Sequence, residues 1–147
     1  MVELKGDKFL LRPFRQADAE IFVNKLNTKT IARDTTIDLP FNIDKARWWI
    51  DFIKDAADRY PLTEFHFVIE IDNQLQGSIA MINIIDHRAE IGYWLDDKYH
   101  GQGIMSQVIQ KVVKYTFKNT DIKRIFAPVL MHNCLLYTSP SPRDKTV

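Results

Sequence analysis

The chain has 147 residues, of which 27% are charged and 46% hydrophobic, and its formal net charge is +1. This length fits one globular domain, and the near-neutral charge gives no electrostatic basis for binding nucleic acid or a membrane surface. No apolar run is long enough to span a bilayer. The single cysteine, Cys134, excludes an intramolecular disulfide, and the charged N-terminal residues predict no secretory signal. We therefore expect a cytoplasmic protein, and no metal site is predicted.

The first half of the chain predicts a short strand followed by two helices. Residues 9–12 form an apolar strand that Pro13 ends. A helix is expected over residues 18–26, and the polar stretch 27–38 is expected to be a loop. Asp44 is the predicted N-cap of a second helix that continues to about Tyr60. Its apolar residues recur at steps of three and four: Ala46, Trp49, Ile50, Ile53 and Ala57.

The second half changes period and predicts an antiparallel meander. Strands are expected over residues 65–71, 75–85 and 88–95, joined by short turns. A helix starts at Gly103, and a last strand covers residues 123–129. Because a helix separates this strand from the third strand of the meander, the two are expected to lie parallel. The sequence therefore predicts an α+β, or mixed α/β, fold with a mostly antiparallel sheet and the order β-α-α-β-β-β-α-β.

Two glycines punctuate the turn before the last helix. Gly101 and Gly103 leave main-chain amides uncovered where the helix dipole begins, and such a turn binds phosphate or pyrophosphate. A dinucleotide-binding turn would have a third glycine where this chain has Ser106, and it would follow the first strand of a βαβ unit. A P-loop would have Lys where this chain has Ile104. Both common nucleotide-binding motifs are therefore excluded.

The segment around this turn resembles the GNAT (Gcn5-related N-acetyltransferase) superfamily, and within it the RimJ/RimL-like acetyltransferases of ribosomal-protein N-termini. The superfamily signature, Arg/Gln-x-x-Gly-x-Gly/Ala, is present as residues 100–105, with His100 and Met105 departing from the pattern. Further similar motifs cover residues 11–14, 18–20, 46–50, 76–79 and 89–95, so the resemblance extends from Leu10 to about Asn133.

The resemblance implies acetyl-CoA as co-substrate. It assigns the pyrophosphate to the turn, at His100, Gly101, Gln102, Gly103, Ile104, Met105 and Ser106. It assigns the pantetheine arm to the main chain of Trp94 and Leu95, and it adds Asn133 as a further CoA contact. Entry of the arm requires the third meander strand and residues 123–129 to separate. The family achieves this with a bulge, for which Gly92 is the expected place.

Acetyl transfer to an amine is helped by a general base and by polarisation of the thioester carbonyl. The resemblance makes Glu90 the first candidate for the base, acting directly or through water. The alternative is a solvated carboxylate paired with Arg88 or Lys98. His87, in the preceding turn, is a second candidate because a histidine titrates near neutrality.

The acceptor side of the site is less well defined. Trp48 and Tyr93 are predicted to contact the substrate, with residues 27–38 as part of its wall, although core packing is an equally simple role for the aromatic residues. The expected acceptor is a primary amine, in the first place the α-amine of a protein N-terminus. A small amine is the alternative, and a catalytically silent acyl-CoA-binding domain is another. Either a monomer or a homodimer is compatible with the sequence.

The C-terminal segment departs from the family pattern. Residues 134–147 have no helical period, contain Pro140 and Pro142, and resemble an in-frame translation of a sequencing adapter. A divergent native tail is the alternative. We expect residues 1–133 to form an incomplete acetyltransferase domain without its final helix and strands, weakly active or inactive. The outer edge of residues 123–129 is then expected to be unpaired.

Overall fold

A computed structural model describes residues 2–27, 42–128 and 133–139. In these ranges the chain forms one seven-stranded sheet whose spatial order follows the sequence order. All neighbouring strands are antiparallel except the fifth and sixth, which are parallel. The strands are β1 Leu4–Lys5, β2 Leu10–Arg12, β3 Phe65–Ile71, β4 Gln74–Ile85, β5 Arg88–Leu95, β6 Arg124–Pro128 and β7 Asn133–Thr138. The predicted mixed fold is confirmed, with β1 and β7 added to the predicted strands.

Three helices accompany the sheet: α1 Ala19–Leu26, α2 Ile43–Ala57 and α3 Ile104–Asn119. The predicted N-cap of α2 was wrong, because the side chain of Asn42, not Asp44, accepts the hydrogen bond from the Lys45 amide. The backbone of Asn42 is extended, which places its side-chain carbonyl oxygen over the free amides of the first turn. The predicted loop over residues 28–38 lies outside the described residues. None of the helices in the described ranges has the length and apolar character needed to cross a membrane.

The two faces of the sheet are covered by different helices. One hydrophobic cluster joins strand residues such as Ile79 and Ile91 to α3 through Ile104, Val108 and Val112. The other cluster joins α1 and α2 to Val68 and Leu75. Side chains alternate between faces along each strand, so each residue of β5 can be assigned to the α3 face or to the face covered by α1 and α2.

A buried ion cluster fixes the start of α1 to the sheet. Arg12 on β2 donates two hydrogen bonds to the Asp18 carboxylate, at 2.9 and 2.8 Å. Its Nε donates to Glu70 Oε2 on β3 at 2.7 Å. These ion pairs raise the pKa of Arg12, chiefly through the bond to Asp18, against the opposing effect of burial. The guanidinium therefore stays charged inside the fold.

Among the described residues, β5 pairs with β6 over its first three residues. Residues Arg88 to Glu90 lie opposite Arg124 to Phe126, whereas β5 continues to Leu95 without β6. The predicted separation of the two strands is confirmed, but the predicted bulge at Gly92 was wrong. Pairing with β4 runs through Gly92 without a shift, and the register shift lies in β4 between Ile82 and Ile85. The gap therefore arises where β6 diverges from a regular β5.

The predicted unpaired edge of β6 was also wrong. β6 pairs with β7, which extends over Asn133–Thr138. The amide of Ser139 also donates to the carbonyl of Lys123 at 2.7 Å. The run from Cys134 to Tyr137 is apolar enough to add a strand to the open edge, so the described part of the tail covers this edge rather than leaving it exposed.

Candidate active site

A cavity of about 370 Å³ lies at the carboxyl end of β5, on the side of the glycine turn. Its lining contains most of the residues that the sequence assigned to CoA. They are Trp94, Leu95, His100, Gly101, Gly103, Ile104, Met105 and Ser106. Tyr93, predicted to contact the acceptor, lines this same cavity, as do Asp97 and Tyr99, which the sequence reasoning missed. Asp97 and Tyr99 lie in the sequence between β5 and the glycine turn, and this position could have indicated that they line the cavity.

The turn has the backbone geometry that glycine permits. Gly101 and Gly103 have φ angles of 75° and 76°, in the left-handed region. Gly103 is the N-cap of α3 and has no side chain to bond the first amides of the helix. The side-chain amide of Gln102 is directed to the preceding turn instead of capping α3, because its Nε2 donates to the carbonyl oxygen of Lys98 at 2.9 Å. The uncapped amides of α3 are therefore available to an anionic group.

His100 is bonded to the end of β5. Its Nε2 lies 2.8 Å from the carbonyl oxygen of Leu95, so Nε2 carries the proton in this contact. Its Nδ1 lies 3.7 Å from a carboxylate oxygen of Asp97. The imidazole therefore fastens the turn to β5, at a position where the family has Arg or Gln.

A polar cluster connects this turn to α1. Lys25 Nζ donates to Asp96 Oδ2 and, at 2.8 Å, to Gln76 Oε1. Asp96 also accepts from the amide of Lys98, which caps the short turn Asp97–Tyr99. Burial acts to raise the pKa of Asp96, but the hydrogen bonds from Lys25 and Lys98 outweigh it, and the pKa lies below its ordinary value. The cluster fixes the position of α1 relative to the segment that leads into the glycine turn.

Glu90 lies on the opposite face of the sheet from α3. Ala89, Ile91 and Leu95 pack in the α3 cluster, whereas the Trp94 side chain packs against the α1 and α2 cluster. By alternation, Glu90 lies on the same face as Trp94. Its carboxylate accepts a hydrogen bond from Asn83 Nδ2 at 3.0 Å.

The partners expected under the alternative role of Glu90 lie elsewhere. The guanidinium of Arg88 sits 4.3 Å from the centre of the Phe126 ring. Lys98 lies after β5, near the ring of Tyr99, at 5.3 Å from its centre. The hydrogen-bond partner of Glu90 in the described chain is thus a neutral amide.

Aromatic rings line the face that carries Glu90. Trp94 stacks on Phe22 of α1, with ring centres 6.3 Å apart, and Phe22 stacks on Trp49 of α2 at 5.1 Å. Trp48 lies outside this row: it is 68% exposed and stacks on Phe52. Trp49, not Trp48, therefore belongs to the row of rings that includes Phe22 and Trp94.

His87 and His66 lie away from the cavity. His87 is in the exposed turn at the far end of β5, where its Nδ1 lies 3.0 Å from the carbonyl of Asp121. His66 pairs with Glu64 at 2.8 Å and meets Trp49 edge-on. Asn133 begins β7, opposite Pro128 at the end of β6. Neither histidine lines the cavity. In the described ranges, histidine, cysteine and acidic side chains form no group suited to holding a metal.

Comparison with known proteins identifies a family that matches most of this chain. Residues 8–134 match the family model described as "Acetyltransferase (GNAT) domain". The probable N-acetyltransferase YjcK of Bacillus subtilis is 30% identical over 142 residues, covering 88% of this chain and 76% of the relative. The ribosomal-protein-serine acetyltransferase of Escherichia coli is 37% identical over 60 residues, covering 40% of this chain and 34% of the relative.

Solved structures agree with the fold. RimL, a ribosomal α-N-protein acetyltransferase solved in complex with coenzyme A, superimposes with a TM-score of 0.75 at 21% identity. The match covers 86% of this chain and 73% of that one. The fold, the glycine turn and the family match therefore lead to one conclusion: the chain belongs to the GNAT family of acetyltransferases.

Proposed function

We propose that this chain transfers the acetyl group of acetyl-CoA to the α-amine of a protein N-terminus. The observation that carries the proposal is the position of the gap between β5 and β6. The start of α3 lines the cavity together with the glycine turn, and Glu90 lies on the face of the sheet opposite α3. The gap begins directly after Glu90, so a thioester held on the α3 side can meet an amine on the side of α1 and α2.

The residues of the cavity fit CoA. Gly101 and Gly103 present a turn without side chains, and the uncapped start of α3 favours a pyrophosphate. Among the described residues, the stretch of β5 beyond Glu90 has no partner on the side of β6, so this edge suits an extended, amide-rich pantetheine arm. Met105 packs partly against the core while it lines the cavity.

The reaction follows from this arrangement. The amine nitrogen attacks the thioester carbonyl carbon, a C–N bond forms, and the C–S bond breaks. Glu90, directly or through water, accepts the proton that the nitrogen loses, and the departing sulfur takes up a proton from solvent. A main-chain amide at the free edge of β5 stabilises the oxyanion. Because its partner Asn83 is neutral, no ion pair with that partner ties up the Glu90 carboxylate.

The named activity of two similar proteins supports a protein α-amine as acceptor, since both act on ribosomal proteins. A thiol-release assay with acetyl-CoA tests the proposal against peptides with free or blocked N-termini, lysine-containing peptides and small amines. We expect release with free N-terminal peptides and none when the α-amine is blocked. Release with small amines alone would assign the chain to that class. CoA binding without release from any amine would make it a silent acyl-CoA-binding domain.

A further inference from the structure

Gly92 occupies a position where neither backbone conformation nor packing requires glycine. Its φ is outside the left-handed region, and an added Cβ would meet no atom of the described residues within 4 Å. Gly77 is different, because a Cβ there would lie 2.4 Å from the carbonyl oxygen of Trp94. Glycine in a strand interior costs stability relative to a residue with a side chain. The space above Gly92, which the described residues leave empty, is therefore a candidate for a functional role.

The location of this space is specific. Gly92 lies two residues after Glu90, the last residue of β5 that pairs with β6, so it stands where the gap opens. By alternation it shares the face of Glu90 and Trp94, at about 7 Å along the strand from each. Its paired residue on the neighbouring strand β4 is Ala80, which also has a small side chain. Two small residues thus form a floor between a carboxylate and an indole.

We propose that Gly92 sets the size limit for the acceptor at the carbon next to its amine. This inference rests on the proposed function, because it assumes that the amine meets the thioester at this gap. A protein α-amine is attached to a branched carbon that carries both the first side chain and the peptide carbonyl. An unbranched alkyl amine needs much less room there. With glycine at this position the branched acceptor fits between Glu90 and Trp94, whereas a larger residue admits only the unbranched one.

The test is a series at one position: Gly92→Ala, Gly92→Val and Gly92→Leu. The ratio of kcat/KM for a seryl peptide to kcat/KM for an unbranched alkyl diamine should fall with each step, by at least tenfold for leucine. The KM for acetyl-CoA should stay unchanged and the melting temperature should not fall, because the new side chain replaces a strand glycine and enters space that the described residues leave empty. Gly77→Ala is the matched control, in which stability should fall because the Cβ meets backbone. A parallel loss for both amines, or an unchanged ratio, would overturn the inference.

Binding of the same seryl peptide in the presence of CoA separates this inference from the proposed function. If the parent chain binds the peptide without turnover and Gly92→Leu abolishes binding, the size limit stands and the proposed activity fails. If Gly92→Leu binds and acetylates the peptide normally, the activity stands and the size limit fails. If the parent chain neither binds nor acetylates any amine, both fail.

Discussion

Lys25, near the end of α1, forms an ion pair with Asp96, the residue that directly follows β5. Both side chains are largely buried, and Gln76 completes the contact. Because Asp96 also caps the turn that leads to Gly101, this pair connects the helix on the acceptor side to the start of the cofactor turn. The geometry of the proposed CoA cavity therefore depends on a contact made from the other side of the sheet.

This pair predicts a specific pH dependence of stability. The pKa of Asp96 is lower in the folded chain than in the unfolded one, so its charged form stabilises the fold. The stabilisation is fully present above the unfolded pKa, about 4, and is lost as pH falls through the lower folded-state pKa. Asp96→Asn should lower the free energy of unfolding by about 1 to 3 kcal/mol at pH 7. Denaturant unfolding should show this difference shrinking below about pH 4; a constant difference would contradict the account.

Loss of the Arg12 cluster should lower the free energy of unfolding more than loss of the Lys25–Asp96 pair. Its effect should be on folding alone. Asp18→Ala leaves the buried guanidinium without its main partner, and we expect a loss of about 3 to 5 kcal/mol. Asp55→Ala is the control, because Asp55 pairs with Arg59 on an exposed part of the surface. That change should cost at most about 1 kcal/mol. Urea unfolding of both variants measures the contrast, and equal losses would show that the burial of Arg12 has no such consequence.

Glu90→Gln should separate catalysis from binding. The amide keeps the size of the side chain but cannot accept the proton, so kcat should fall by about 10²- to 10⁴-fold. The KM for acetyl-CoA and the melting temperature should change little, since Glu90 lies outside the cavity lining.

Asn83→Gly is the matched control for this change. It removes the hydrogen bond to Glu90 but suits the positive φ of 50° at this residue. We expect a smaller loss of kcat than for Glu90→Gln. If both variants keep full activity, Glu90 is not the base.

Gly103→Ala should weaken CoA binding through the backbone. The added methyl group meets no neighbouring atom, so the cost is conformational: about 1 to 2 kcal/mol for a left-handed residue other than glycine. The turn can avoid this cost by rotating its amides away from the anion. Calorimetric titration with CoA should therefore show a higher Kd than for Gly92→Ala, which keeps its backbone conformation. Equal Kd values would mean that the turn does not hold the pyrophosphate.

The sequence predicted the elements with strong periodicity and the site with a local motif. Helix α3, the meander and the glycine turn each depend on residues close in the chain, so their patterns were sufficient. The N-cap of α2 was misplaced by two residues because Asn42 and Asp44 are both good caps, and only the backbone conformation decides between them.

The failures concern long-range pairing. The outer partner of β6 is β7. The short apolar run that forms β7 does not indicate in the sequence which strand it will pair with. The Lys25–Asp96 contact joins residues 71 positions apart, and no local pattern indicates it. The separation of β5 from β6 was expected from the family, but its cause was assigned to a bulge that the regular register of β5 excludes.

The most direct test of the proposed function is to locate the acetyl group after reaction. A peptide with a free N-terminal serine and an internal lysine is incubated with acetyl-CoA and this chain, and the product is fragmented in a mass spectrometer. The account predicts one acetyl group, on the α-nitrogen, and no product with the Glu90→Gln variant on the same time scale. Acetyl groups on the lysine, or equal amounts of product with and without Glu90, would contradict it.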